Sequence, residues 1–237
     1  MARGDRIIAA LDVNHIEEVE RLVDQLRPVI KIFKIGSELF TACGIEAVDM
    51  VRRKGCRVFL DLKYHDIPNI VMKASRAAAK QNIHMFTLHT LGGLSMLEKA
   101  ASAAREEASR LGNEHPIVLG VTVLTSLNKN DIHAVGISGS LKNEVLRLVT
   151  LAEKAGLDGV VASAQEVPKI RKIVKPNFLI VTPGIRPAWA QKADQKRVAT
   201  PKEALDMGSD YLVVGRPITS QEDPKAAAEK ILQEINR

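Results

Sequence analysis

The chain has 237 residues, 46% hydrophobic and 3% aromatic, and its 34 Lys and Arg against 28 Asp and Glu leave a formal net charge of +6. That length and apolar content supply one large domain with a full core, the scale on which α/β barrels are built, and do not call for a second domain. The charge suits anionic ligands, but few aromatics and no clustered basic run argue against nucleic acid as a partner; Cys43 and Cys56 match no metal-ligand spacing, and the short apolar stretch before Asp12 is neither a secretory signal nor a membrane span, so a cytoplasmic protein is expected.

In chain order, short β-rich apolar runs alternate with longer helical patterns. The runs are Ile7 to Leu11, Ile32 to Ile35, Val58 to Leu62, Met85 to His89, Ile117 to Val123, Gly159 to Ser163, Phe178 to Thr182 and Tyr211 to Val214. Such alternation predicts βα units and a parallel sheet. Eight units is the count that closes an α/β (β/α)₈ TIM barrel, here as a single domain over residues 1–237, although an open doubly wound sheet fits the same count. Ala77 to Ala79 and Ala100 to Ala104 lie in amphipathic helical surroundings. Thr200-Pro201-Lys202-Glu203 reads as a helix start, with a capping threonine, proline at the first helical position and glutamate where a capping box needs it. The punctuated stretches near 125–140 and 184–200 each follow a strand and read as loops on the working face.

The third run continues as FLDLKYHDIPN, residues 59–69, and places charges where a core strand should be apolar. Alternation puts Phe59, Asp61 and Lys63 on one face and Val58, Leu60 and Leu62 on the other. With the aliphatic set against the helices, Asp61 and Lys63 face the barrel mouth at the C-terminal end of the strand, where barrel enzymes place their chemistry. Asp12 ends the first run, and Lys34 ends the second in the phase of Ile32. Each has an ordinary structural reading: Asp12 as a cap for a helix opening near Asn14, Lys34 reaching to solvent, Asp61 and Lys63 as an ion pair. Together they point to function, because desolvating four charges costs several kcal/mol each unless a network or ligand offsets it. His65 and His89 fit hydrogen-bonding roles at least as well as catalysis and are not assigned to it.

A second constellation lies late in the chain. The seventh run leads into Thr182-Pro183-Gly184-Ile185-Arg186 and the eighth into Val213-Val214-Gly215-Arg216-Pro217. Loops after strands seven and eight of a barrel often hold phosphate, glycine letting backbone N–H groups approach and arginine supplying paired donors. A tight turn with a surface arginine is the competing reading.

Taken in order, FKIG, DLKYHDIPN, LTS, TPGIRP, DQKRV and VVGRP resemble the orotidine 5'-phosphate decarboxylase family, and the match runs from Asp12 to Pro217. The resemblance implies a barrel homodimer that converts a nucleotide substrate, orotidine 5'-monophosphate, to uridine 5'-monophosphate in pyrimidine biosynthesis, with no metal and no organic cofactor. It further implies that Asp66 and Ile67 reach the neighbouring subunit's site, so that Lys34, Asp61, Lys63 and the partner subunit's Asp66 form an alternating array. By the same resemblance Asp12 and Lys34 bind ribose hydroxyls, Lys63 protonates C6, Asp61 lies beside the leaving carboxylate, and Thr125 contacts the pyrimidine edge. Arg186, Gln195, Gly215 and Arg216 correspond to the phosphate grip, with 185–198 as a closing loop. Two positions depart from the family pattern: Ile70 stands where a threonine is usual, and PAWAQKAD lacks a glycine-rich middle. A rival on the same barrel uses a similar Asp-x-Lys-x-x-Asp array with Mg²⁺ on sugar phosphates.

Overall fold

Strands buried on both faces need apolar residues at nearly every position, and the runs above supply them. The computed structural model describes residues 3–190 and 198–236. Its eight strands, β1 Ile7–Leu11, β2 Ile32–Gly36, β3 Arg57–Tyr64, β4 Met85–His89, β5 Ile117–Val121, β6 Gly159–Val161, β7 Leu179–Thr182 and β8 Tyr211–Val214, are parallel neighbours in chain order, and β8 returns to β1. The sheet is therefore a closed barrel in one domain, and the open alternative is set aside. Every other residue points inward: Ile8, Ile32, Phe59, Met85, Leu119, Val181 and Tyr211 fill the centre, while Ile7, Phe33, Leu60, Phe86 and Leu88 pack outward on the helices. Each such side chain contributes about 1.5–3 kcal/mol when fully buried, so the barrel is a packed core rather than a pore.

Helices cover the outside, among them Ile16–Leu26, Ile45–Arg53, Pro68–Lys80, Leu94–Leu111, Leu141–Lys154, Pro201–Asp206 and Pro224–Asn236. The alanine-rich pair, Pro68–Lys80 and Leu94–Leu111, pack against each other, as small side chains allow. The predicted capping box is present: Glu203 N–H donates to Thr200 Oγ1 at 3.2 Å, and Thr200 N–H donates to Glu203 Oε2 at 2.9 Å. Hydrogen bonding to the carboxyl from the Thr200 backbone N–H first, and then from its hydroxyl, holds Glu203 below the ordinary carboxylate value. Among the described residues no helix is long and apolar enough to cross a membrane.

Several boundaries differ from the sequence expectation. β5 stops at Val121, because Val123 is buried by packing in the loop rather than by strand pairing. β6 stops at Val161, and the Ser163 N–H instead donates to Glu166 Oε2 at 3.0 Å in the turn that follows. Residues 125–140 are not wholly loop: Lys129–Ala134 is a short helix, closed by a reciprocal box between Asn128 and Asp131. The segment after β7 is fastened at its base by a bridge between Ile185 and Ala199, with the Arg186 N–H donating to the Ala199 carbonyl at 2.9 Å.

At the N-terminal end of the barrel, His84 precedes β4 with its Nε2 buried and without a partner. Burial, aided by the Arg57 charge, pulls its pKa from 6.5 down to about 4. Above 6.5 His84 is neutral in folded and unfolded chains alike and favours neither. As pH falls through 6.5 toward about 4 the unfolded chain takes up the proton first, and stability is lost across that window. The thermal midpoint is expected to fall between about pH 7 and about pH 4.5, and His84→Gln to flatten that fall. Equal slopes for the two proteins in scanning calorimetry would remove His84 from the account.

Candidate active site

The barrel register explains why opposite charges meet at the mouth. Lys34 pairs with Phe59 across β2 and β3, and the next inward position, Gly36, pairs with Asp61. Gly36 has no side chain to occupy that layer, and the Lys34 ammonium rises into it: a β-carbon built on Gly36 falls 2.9 Å from Lys34 Nζ. There Lys34 Nζ donates to Asp12 Oδ1 at 3.1 Å and lies 3.9 Å from Asp61 Oδ2. The Lys34 and Asp61 side chains are only 12% and 15% exposed, so Lys34 does not reach away to bulk water. Asp12 is not a cap either. The helix beginning at Ile16 follows His15 without any side-chain cap, and Asp12 faces Lys34.

β3 delivers the other cation by an irregularity. Leu60 pairs with Phe86, yet Tyr64 pairs with Leu88, so four steps on β3 span two on β4. Within this bulge Lys63 takes a left-handed backbone, φ 51°, which costs a residue with a side chain about 1–2 kcal/mol. Its ammonium donates to Asp61 Oδ2 at 3.0 Å. Lys34 and Lys63 thus approach one carboxylate oxygen from two strands. Partly buried ion pairs of this kind contribute little to stability, since desolvation offsets the attraction; their retention is better explained by what they do.

A cavity of about 180 Å³ opens over the array. Lys34, Asp61, Lys63 and Thr125 line it together with Phe59, Val121, Val161, Pro183 and Val213. One wall is charged and the other apolar, the form expected of a small-ligand site. A second cavity, about 450 Å³, is lined by Arg186, Trp189, Ala190, Arg216, Pro217, Ser220 and Gln221. Both arginines of the late constellation therefore face one space. Gly215 has a further place: a β-carbon on it would lie 3.3 Å from Asp12 Oδ2, so its bareness makes room for that carboxylate. A larger cavity, about 510 Å³, lies at the opposite end of the barrel among Arg57, His84 and His115. Its size does not make it the site, because the strand ends that carry chemistry in barrels are the C-terminal ones.

Asp66 and Ile67 lie apart from the array within one chain. Asp66 Oδ1 accepts the Ile67 N–H at 2.6 Å, and Ile67 is 62% exposed at the start of Pro68–Lys80. Gln195 lies outside the described residues. His65 and His89 stack with ring centroids 5.3 Å apart, and His89 Nδ1 accepts the Leu91 N–H at 3.4 Å, the structural role left open by the sequence. Burial first, then the charges of His65 and Lys63, lower the His89 pKa. Two residues that build this geometry carry little functional signal in the sequence: Gly36 stands within FKIG, and Thr87 is a strand residue marked only by a hydroxyl at an inward position between Met85 and His89.

The family model described as "Orotidine 5'-phosphate decarboxylase / HUMPS family" matches residues 5–231. A protein of Pelobacter propionicus described as orotidine 5'-phosphate decarboxylase is 52% identical over 230 residues, covering 97% of this chain and 95% of its own length. One of Moorella thermoacetica with the same description is 51% identical over 236 residues, covering 99% and 94%. The crystal structure of orotidine 5'-phosphate decarboxylase from Lactobacillus acidophilus superposes with a TM-score of 0.87 at 38% identity, covering 98% of this chain and 100% of that one.

Because Gly36 and Gly215 both leave space for the Lys34–Asp12 pair, adding a methyl group at either position should disturb it. Gly215→Ala is expected to fold with a thermal midpoint within a few degrees of the wild type while moving the Asp12 carboxylate by a few tenths of an ångström or more. A crystal structure of the variant with the 3.1 Å contact unchanged would contradict the role given to Gly215.

Proposed function

Because this chain belongs to the orotidine 5'-phosphate decarboxylase / HUMPS family, we propose that its reaction runs on the charged mouth of β1 to β3, with Lys63 as the proton donor. The overall reaction is decarboxylation of orotidine 5'-monophosphate to uridine 5'-monophosphate, a step of pyrimidine biosynthesis. The observation that carries the assignment is the Asp61 carboxylate held between Lys63 at 3.0 Å and Lys34 at 3.9 Å in one wall of a cavity whose other wall is apolar.

The chemistry asks for this arrangement. The bond from C6 to the carboxylate carbon breaks with its electron pair left on C6, CO₂ departs, and C6 takes a proton. The ring delocalises that pair poorly, so a catalyst must favour charge at C6 over charge on the carboxylate. The Lys63 ammonium at C6 stabilises the developing carbanion and then transfers a proton to it; the neutral amine regains its proton from solvent. Asp61 sits against the substrate carboxylate. Two unit charges ~3 Å apart repel by roughly 5 kcal/mol at an effective dielectric of 20, and the neighbouring ammonium groups offset much of that. Enzymes lower barriers by about 8–23 kcal/mol, so repulsion is the smaller contribution and the placed ammonium the larger.

Asp12 and Lys34 bind the ribose hydroxyls in this scheme, Thr125 the pyrimidine edge, and Arg186, Gln195, Gly215 and Arg216 the phosphate. Phosphate binding far from C6 then holds the carboxylate in its unfavourable place. No metal or organic cofactor takes part in it. The Mg²⁺-dependent rival, which uses a similar array, is disfavoured by the TPGIRP and DQKRV segments, which resemble the nucleotide-phosphate grips of the first reading.

The functional unit is a homodimer in which the partner subunit's Asp66 and Ile67 complete the array. Support comes from the exposure of Ile67, Ile70 and Leu91 on the segments that follow β3 and β4, apolar surface that an interface there would cover. Ile70, where the family pattern has threonine, suits packing in such an interface better than a hydrogen bond to ribose.

Lys63→Ala is expected to lower kcat by at least about 1,000-fold; retention of most of kcat would refute the donor assignment. Mixed with Asp66→Ala, itself inactive alone, it should regain activity through hybrid dimers carrying one intact site, and no recovery would count against a shared site. For Arg216→Ala the expected result is a large loss in kcat/KM that added guanidinium cation, supplying the missing charge beside the phosphate, partly restores. A kcat/KM close to that of the wild type would mean that phosphate binding does not drive catalysis.

A further inference from the structure

We infer that Thr87 is a positioning residue for the reaction, a single hydroxyl that sets both the Asp61 carboxylate and the Lys63 backbone. This rests on the reading that Asp61 and Lys63 act on the substrate. Thr87 lies on β4, points inward and is fully buried. Its hydroxyl has one proton to give, and Asp61 Oδ1 accepts it at 2.9 Å. Thr87 Oγ1 in turn accepts the Lys63 N–H at 2.9 Å.

The need for such a group follows from the bulge. Between Leu60 and Tyr64, β3 loses its regular pairing with β4, and the Lys63 N–H has no ladder carbonyl to meet. Thr87 Oγ1 takes that place, at the residue whose backbone is left-handed. With Oδ1 engaged by Thr87, the other oxygen of Asp61 is turned toward both ammonium groups, at 3.0 and 3.9 Å. One side chain therefore governs where the anion faces and where the lysine stem begins. Thr87 does not line the cavity and need not touch substrate; it acts through the two residues that do.

Thr87→Val keeps the shape and removes the hydroxyl, leaving the Lys63 N–H and Asp61 Oδ1 without their partner. The expected result is a fall in kcat of about 30-fold or more, with KM for orotidine 5'-monophosphate within about 3-fold of the wild type because the phosphate contacts are untouched. Thr87→Ser and Thr87→Ala share the loss of the methyl group and differ in the hydroxyl, so their comparison holds even where the valine variant folds poorly. Serine should stay within about 5-fold of wild-type kcat and alanine fall at least about 10-fold below serine. Equal kcat for serine and alanine, or a loss confined to KM, would overturn the inference. Lys63→Ala run in the same assay separates the two claims: if it keeps most of kcat the array reading fails as a whole, whereas an inactive Lys63→Ala beside equal serine and alanine variants refutes Thr87 alone.

Discussion

A carboxylate inside the mouth of a closed barrel is the constraint on which this site turns. Asp61 is largely shielded from water, and its nearest compensation is a pair of ammonium groups that arrive from different strands. Each arrival has a structural condition. Lys34 requires the vacancy at Gly36, and Lys63 requires a bulge with a left-handed residue. Asp12, seated in the space left by Gly215, then balances Lys34 from the far side. The interleaving of charges is thus a product of barrel register, glycine placement and one irregular strand.

How much of this could be read from sequence depends on the length scale of the cause. Strand count, parallel order and the inward phase of Lys34 and Asp61 follow from period-two alternation and were legible, whereas Lys63 reaches the mouth through a bulge that alternation does not foresee. Closure was not, because eight βα units satisfy both a barrel and an open sheet until β8 is seen beside β1. Strand ends were overrun where apolar residues are buried by loops, as at Val123. The short helix Lys129–Ala134 escaped notice although Asn128 and Asp131 carry a capping signal. Thr87 and Gly36 were invisible as participants for a common reason: what they do depends on partners 24 to 26 residues away or on an absent side chain. The resemblance to a known family added roles to residues, and the family match over residues 5–231 shows membership, while the roles themselves remain the proposal made above.

The two ends of the proposed site divide the work. The β1 to β3 end holds opposite charges together without a ligand, which is the condition for electrostatic preorganisation. The β7 and β8 end offers Arg186 and Arg216 to one cavity, Arg186 from a segment fastened by the Ile185–Ala199 bridge and Arg216 from the turn after β8. In the proposed scheme, binding energy gathered at the second end is what the first end uses against the substrate carboxylate. An apolar wall of Val121, Val161 and Val213 faces the charges, and in the same scheme it would accept neutral CO₂ more readily than a carboxylate.

The most direct measurement is a crystal structure of the protein with uridine 5'-monophosphate bound. The account predicts C6 about 3–3.5 Å from Lys63 Nζ, the phosphate between Arg186 and Arg216, and a ribose hydroxyl on Asp12 or Lys34. A nucleotide seated among Arg57, His84 and His115 at the other end of the barrel, or one at the mouth with C6 turned away from Lys63, would contradict it.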